Sequence, residues 1–156
     1  MTRILTAFAA VLALMIGMPS AAQDKSKGTA AEATAMVEKA IAHIKKVGRD
    51  KAFADFSSKQ PPWVDRDLYV VVYDMKGKVL AHGSNEKMIG KDVIELRDND
   101  GKYFVKERVE MMSKGPDAKG WQDYKFMNPV SRQIEPKQMY LRRFEDVIVG
   151  CGIYKS

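Results

Sequence analysis

The sequence is poor in the side chains that most often build metal sites and covalent catalysis. Its 156 residues include one cysteine and two histidines. A single cysteine cannot form an internal disulfide, and these three residues lie too far apart to show the ligand spacing of a zinc site. There is no phosphate-cradling glycine loop, no dinucleotide fingerprint and no recognisable Ser–His–Asp context. We therefore expect no metal, no cofactor and no catalytic activity.

Charge of one sign is not concentrated anywhere along the chain. The 26 Lys and Arg and the 20 Asp and Glu give a formal net charge of +6, with the two signs interleaved. Nucleic-acid binders more often cluster their basic residues, so we expect no nucleic-acid partner. A modest positive field would still favour anionic ligands.

Long apolar runs are also scarce, and the longest stands at the start. Arg3 precedes an apolar run over residues 4–16, and small residues follow at Ser20, Ala21 and Ala22. This is the layout of a secretory signal peptide, and the run is shorter than the roughly 20 residues of a membrane-spanning helix. We expect cleavage near Ala22 and a periplasmic or secreted protein, with a flexible tail at 23–28 and one domain at 29–156.

The first part of the expected domain shows helical periodicity. Thr29 with Glu32 three residues later forms a capping box, which predicts a helix start. Apolar residues follow at spacings of three and four, which indicates one buried helix face: Ala33, Met36, Val37, Ala40, Ile41, Ile44 and Val47. Gly48 should end this helix, and Asp50 should cap a short second one carrying Phe53 and Phe56.

The remainder predicts an antiparallel sheet with an inserted helix. Residues 68–74 are rich in Val and Tyr, and a turn at 74–77 returns the chain as a hairpin over 78–82. Residues 85–96 look irregular. Asp98 or Asp100 should cap a helix that runs through Met112 and buries Phe104, Val105 and Val109. Strands at 120–126, 135–140 and 147–154 close an α+β domain.

Several short motifs, in this order and spacing, resemble those of the single Cache domains of bacterial sensors. The similarity extends over residues 29–155 through the following segments: Asp67 to His82, Gly90-Lys91-Asp92, Asp100 to Phe104, Gly120-Trp121-x-x-Tyr124, Asn128-Pro129, Pro136-Lys137-x-x-Tyr140 and Gly150 to Tyr154. The resemblance implies a PAS-like fold. A long N-terminal helix should pack on a roughly five-stranded antiparallel sheet, and a layer of loop and helix should cover a ligand cavity.

The resemblance also implies a function and a set of ligands. Family members are mostly extracytoplasmic sensing domains of chemoreceptors and kinases, and many bind acetate, propionate, lactate or pyruvate. This sequence ends at Ser156, directly after the last expected strand, and so looks like a free-standing secreted member.

Lys137 is the first candidate for a carboxylate contact. Pro136 fixes its entry and Tyr140 follows at the family's spacing, although an exposed strand lysine is the plain alternative. His82 could add a donor whose contact depends on pH, or it could be satisfied by the backbone. His43 is expected at the surface and Cys151 in the core.

Aromatic and amide side chains could complete the cavity, with ordinary core packing as the alternative. Trp121, Tyr124, Tyr140 and Tyr103 would supply walls and hydroxyl donors. Strand alternation places Trp121 and Tyr124 on opposite faces, which slightly favours Tyr124. The amide of Asn128 could donate to a ligand, although Asn128-Pro129 predicts a turn.

We therefore expect an exported, non-catalytic protein that binds or senses a short carboxylate and acts through a membrane receptor or kinase. The alternative is an interaction module whose cavity is filled by its own side chains. Such a module would dock to a membrane receptor or dimerise through its N-terminal helix.

Overall fold

A computed structural model describes residues 25–155. The expected signal peptide, its cleavage near Ala22 and the first two residues of the expected tail lie outside the described residues. Within residues 25–28, the Gly28 amide donates to Asp67 Oδ1 at 2.6 Å, so this end of the tail is held against the domain. Among the described helices, none combines the length and the apolar character that crossing a membrane requires.

The long N-terminal helix, α1 (Ala30–Val47), begins and ends where the sequence predicts. Thr29 Oγ1 accepts from the Glu32 amide at 3.2 Å, and Glu32 Oε2 accepts from the Thr29 amide at 2.8 Å. Gly48 ends the helix with φ at 83°, a left-handed value that favours glycine. The capping box and the glycine stop are both confirmed.

The second helix, α2 (Arg49–Ser57), follows without a linker, and its expected cap is wrong. Gly48 ends α1 and is also the N-cap residue of α2, so Asp50 lies inside the first turn and does not cap it. An acidic residue in the first turn still interacts favourably with the helix dipole. Phe56 is fully buried, as the pattern predicts.

Six strands form one antiparallel sheet, one more than the roughly five expected. They are β1 (Val64–Asp65), β2 (Leu68–Asp74), β3 (Val79–His82), β4 (Lys119–Met127), β5 (Ile134–Phe144) and β6 (Val147–Tyr154). The order is β1-β2-β6-β5-β4, with β3 also paired to β2. The additional strand, β1, has two residues, too few to show a period in the sequence.

Helices and loops cover both faces of the sheet, which explains why β2 is buried along nearly its whole length. On one face, α1 and α2 pack against side chains such as Val70, Val149 and Cys151. The other face, which we call the pocket face, is covered by residues 85–103 and a third helix. It carries Val71, Tyr124 and Met139. This PAS-like α+β arrangement confirms the expected fold class.

The third helix, α3 (Phe104–Met112), starts later than predicted, and neither Asp98 nor Asp100 caps it. Asp98 Oδ1 instead accepts from the amides of Asp100 and Lys102, and its Oδ2 accepts from the Lys125 amide at 3.0 Å. These hydrogen bonds of Asp98 connect the loop over residues 98–102 to β4. Residues 85–96 are irregular apart from a 3₁₀ turn at Glu86–Met88, as expected.

Candidate functional site

Two cationic side chains are buried on the pocket face. Lys137 of β5 is 1% exposed and Arg108 of α3 is 0% exposed. No ion pair joins either of them to a carboxylate within residues 25–155. A buried cation is costly unless it is paired, so this arrangement needs an explanation.

The Lys137 ammonium is held by phenols and aromatic rings. Nζ donates to Tyr69 Oη at 2.7 Å and to Tyr154 Oη at 3.1 Å. It lies 4.0 Å and 4.4 Å from the centroids of the same two rings. Burial lowers the pKa of Lys137 to about 7. The lysine predicted to face the interior does so, but its contacts do not include a carboxylate.

Glycines on β6 make room for the lysine stem. A Cβ added at Gly152 would lie 2.5 Å from Lys137 Cε, closer than real contacts allow. Gly150 similarly faces Leu141 and Met139 at 3.0 Å. The Gly-Cys-Gly run of β6 therefore lets β5 side chains lie flat on the pocket face, while Cys151 points to the opposite face.

Arg108 is the second cation, and the sequence analysis missed it. Its Nε donates to Gln122 Oε1 at 3.2 Å, and Gln122 is itself fixed by the Phe104 carbonyl at 2.8 Å. Among residues 25–155, neither Nη atom has an acceptor within hydrogen-bond distance. The pKa of Arg108 is nevertheless raised, because the phenols of Tyr73 and Tyr124 outweigh the opposing effect of burial. The guanidinium carbon lies 4.9 Å from the ring of Tyr73 and 5.2 Å from that of Tyr124.

The signal for Arg108 is present in the helical periodicity. Phe104, Arg108 and Met112 stand at i, i+4 and i+8, which is one helix face, and all three are buried. The prediction placed Val109 on that face instead. Val109 is half-buried, so the arginine occupies the position that an apolar residue would normally fill.

An enclosed cavity of about 10 Å³ lies within the same layer. That is room for about one water molecule. Its walls are mostly aromatic and apolar and include residues that touch either cation: Tyr69, Val71, Tyr73, His82, Met88, Val93, Leu96, Phe104, Val105, Tyr124, Phe126 and Met139. A ligand of several atoms would require the covering loop or these side chains to move.

His82 lies at the cavity wall as a neutral imidazole. Its ring stacks on Tyr69 with centroids 5.1 Å apart, and its Nδ1 accepts from the amides of Ser84 and Asn85. The tautomer with a proton on Nε2 follows from those contacts. Burial, and then the positive charges of Lys137 and Arg108, lower the pKa of His82 to about 3. Near neutral pH this histidine is therefore a fixed hydrogen-bond donor.

Three of the residues predicted from sequence meet in this layer: Lys137, Tyr124 and His82. Trp121 and Tyr140 lie on the opposite face, where they pack against the α1 side with centroids 5.3 Å apart. Because side chains alternate along a strand, Tyr140 at i+3 from Lys137 must point away from it. Tyr69, Tyr73 and Tyr154 take the positions on the lysine's side.

The other two predicted residues lie outside the cavity wall. Tyr103 is the N-cap residue of α3, and Arg97 lies 4.0 Å above its ring. Asn128 shapes the turn between β4 and β5, where its Oδ1 accepts from the Val130 amide at 2.9 Å and its Nδ2 donates to Glu135 at 2.9 Å. The side-chain oxygen and nitrogen of Asn128 therefore both form hydrogen bonds within the turn.

Metal-binding geometry is absent from the described part of the chain. Residues 25–155 contain no group of three or more His, Cys, Asp or Glu side chains placed to hold an ion. The one cysteine in this range, Cys151, is buried, and burial raises the pKa of its thiol to about 12.

Comparison with known proteins supports the same fold. A family model described as single Cache domain 2 matches residues 4–156. The methyl-accepting chemotaxis protein McpP of Pseudomonas putida is 28% identical over 92 residues. That match covers 58% of this chain but only 16% of the receptor.

Solved structures show the fold at lower identity. A methyl-accepting chemotaxis protein from Vibrio parahaemolyticus aligns with a TM-score of 0.68 and 21% identity, over 80% of this chain and 86% of that one. A structure described as the basis for carboxylic acid recognition by a Cache chemosensory domain aligns with a TM-score of 0.68 and 18% identity, over 81% and 92%. A periplasmic sensor domain of a chemotaxis protein aligns with a TM-score of 0.62 and 22% identity, over 79% and 88%.

Proposed function

The chain belongs to the single Cache domain 2 family, and we propose that it binds a small organic acid between Lys137 and Arg108. One observation carries the proposal: two buried cations share a layer in which no described carboxylate pairs with either. A carboxylate placed there would supply the missing acceptor. The protein would act as a binding or sensing protein, not as an enzyme.

Each cation offers a different contact. The two Nη atoms of Arg108 have no acceptor, and a guanidinium edge matches the two oxygens of a carboxylate. The Lys137 ammonium can donate one of its N–H groups to a ligand oxygen in place of a tyrosine hydroxyl. Each charge-assisted hydrogen bond contributes about 1.5–3 kcal/mol, or roughly ten- to hundredfold in affinity.

Neutral donors complete the proposed site. The hydroxyls of Tyr69 and Tyr124 lie on the pocket face, and His82 presents Nε2–H at the cavity wall. The Tyr154 hydroxyl already donates to the Met127 carbonyl at 2.7 Å. Trp121 and Tyr140 are not part of the proposed site because they lie on the opposite face of the sheet. Tyr103 and Asn128 are not part of it because Tyr103 is the N-cap residue of α3 and Asn128 forms its hydrogen bonds within the β4–β5 turn.

The second candidate function is an interaction module with a self-filled cavity. The cavity volume of about 10 Å³ favours it, since this space holds no organic acid as it stands. Under this proposal the domain docks to a membrane receptor or dimerises through α1. Only the first candidate requires the layer formed by residues 85–103, or the side chains of the cavity wall, to move so that a ligand can enter.

Export and partners also belong to the proposal. We infer that residues 1–22 direct the chain out of the cytoplasm and are removed near Ala22. In the periplasm or outside the cell, the acid-bound form would act on a membrane receptor or kinase.

A thermal-shift screen tests the main proposal. The purified protein is melted with acetate, propionate, lactate and pyruvate, and with propionamide as a neutral control of the same size as propionate. A ligand at one hundred times its Kd adds about 2.7 kcal/mol of stability. We expect at least one acid to raise the melting temperature and the amide to leave it unchanged. A flat response across a wider acid panel at millimolar concentration would favour the interaction module.

Variants then test the residues. Lys137→Met should weaken binding ten- to hundredfold in calorimetry, by the magnitude given above for one charge-assisted bond. Lys106→Met is the matched control, because Lys106 is an exposed lysine on α3. Unchanged binding by Lys137→Met would remove the lysine from the site.

A further inference from the structure

We infer that the acid held here carries two carboxylates, one for Arg108 and one for Lys137, and is a short dicarboxylate. The inference rests on the proposed function and specifies the ligand of the same site. Four observations support it: the separate aromatic partners of the two cations, the Arg108 donors without acceptors, the charge around the cavity, and the residues that line it.

The two cations contact different sets of aromatic rings. Lys137 Nζ lies near the rings of Tyr69, Tyr154 and Phe126. The Arg108 guanidinium lies near Tyr73, Phe104 and Tyr124. No described ring lies close to both. Tyr69 and Tyr73 are four residues apart on β2, about 13 Å along the strand at roughly 3.3 Å per residue. The two cations therefore have separate aromatic partners, although Tyr124, which contacts Arg108, is also the cross-strand neighbour of Lys137.

The cavity wall contains contact residues of both cations. Tyr69, which accepts from Lys137, is in its wall, and so are Tyr73 and Tyr124, which lie against Arg108. A single carboxylate bound bidentately by Arg108 would leave the Lys137 ammonium with only its phenol partners. A ligand with an anionic group at each end would satisfy both cations at once.

No described group that faces the cavity balances the two positive charges. Burial raises the pKa of Tyr69 and of Tyr124 well above the usual value, so both phenols stay neutral. His82 is neutral as well. Glu107, the residue before Arg108, is paired with Lys102 at 2.8 Å and does not line the cavity.

Asp67 is the buried carboxylate nearest to this chemistry, and it does not replace a ligand. It is 1% exposed, its Oδ1 accepts from Gly28, and it does not line the cavity. At Lys137, the positive charge of Arg108 lowers the pKa of the ammonium and the negative charge of Asp67 raises it. Asp67 Oδ2 has no hydrogen-bond partner among residues 25–155, so Asp67 forms no direct contact with either cation.

Paired ligands test the inference by isothermal titration calorimetry at pH 6.5, with the purified wild-type protein. Succinate is compared with butyrate, which has the same number of carbons and one carboxylate, and malonate and glutarate vary the spacing. We expect at least one of the three diacids to bind at least tenfold more tightly than butyrate. In Lys137→Met, that preference should fall to within about threefold.

The outcomes separate this inference from the proposed function. If butyrate or propionate binds as tightly as every diacid, the dicarboxylate inference is wrong and the organic-acid site stands. If no acid of either kind binds, both are wrong. A tenfold diacid preference that persists unchanged in Lys137→Met would also overturn the assignment of the second carboxylate to Lys137. Lys137→Arg, which keeps the charge, should retain the preference if the variant folds.

Discussion

The affinity for an anionic ligand should fall as pH rises through 7, because Lys137 must carry a proton to pair with it. Burial lowers the pKa of this ammonium to about 7 in the unliganded protein. A bound carboxylate favours the charged form and raises that pKa again. Binding above pH 7 therefore includes the uptake of a proton.

The size of the change in affinity follows from the fraction of the protein in which Lys137 is protonated. With a pKa of about 7, roughly 90% of Lys137 is protonated at pH 6 and roughly 10% at pH 8, so the apparent Kd should rise about tenfold over that range. A monocarboxylate ligand does not contribute, since simple carboxylic acids, with pKa values near 4, are ionised throughout. His82 does not contribute either, because its pKa is about 3.

Calorimetry measures both quantities. Titrations at pH 6 and pH 8 give the affinities, and repeating them in buffers of different ionisation enthalpy gives the protons taken up. We expect nearly one proton per ligand at pH 8 and close to none at pH 6. Lys137→Arg is the control, since its permanent charge should make the affinity flat across this range. A wild-type affinity that is equally flat, with no proton uptake at pH 8, would refute the reasoning.

Three further predictions concern stability. The pKa of Lys137 is lower in the folded state than in the unfolded state, so the unfolded state binds more protons between pH 7 and 10.5. The stability of the unliganded protein should therefore rise with pH in this range, by about 2 kcal/mol from pH 7 to 9. Urea titrations should show this rise in the wild type and not in Lys137→Met. Arg108→Met removes a buried charge that has no carboxylate partner, so the unliganded variant should be as stable as the wild type or more stable by about 1–4 kcal/mol in the same urea titrations. The variant should also lose acid binding. A loss of stability would mean that the guanidinium has a structural role. Gly152→Ala should cost about 1–3 kcal/mol because its Cβ would meet Lys137 Cε at 2.5 Å, whereas Gly115→Ala, which meets nothing within 4 Å, should change denaturant midpoints little.

The parts of the fold that the sequence predicts correctly depend on residues close together in the chain. The capping box at Thr29, the stop at Gly48 and the hairpin from β2 to β3 each need only a few neighbouring residues. The two wrong caps show the limit of such signals. An aspartate can accept from any nearby amide, and Asp98 takes amides from its own turn and from β4.

The site was harder to predict because it depends on which strand face is covered and by what. Lys137 could have been an exposed strand lysine, since no local pattern states that α3 and residues 85–103 lie above it. The pairing of Lys137 with Tyr140 ignored strand alternation, which a period of two makes unavoidable. Arg108 could have been found from its i, i+4 spacing to Phe104 and Met112. That its Nη atoms lack acceptors depends on the tertiary structure alone.

The choice between a ligand site and a self-filled module turns on the energy of the two cations. Methionine at either position would fill a similar volume without burying a charge, and such replacements are often neutral or stabilising. Lys137 instead retains a buried ammonium whose lowered pKa shows the cost of charging it. Arg108 retains two donors without acceptors. A module that only needs a packed interior gains nothing from these groups, whereas an anion site needs both. Under the ligand proposal, the small cavity would be the closed, unliganded state of that site, in which aromatic side chains shield the cations until an acid displaces them.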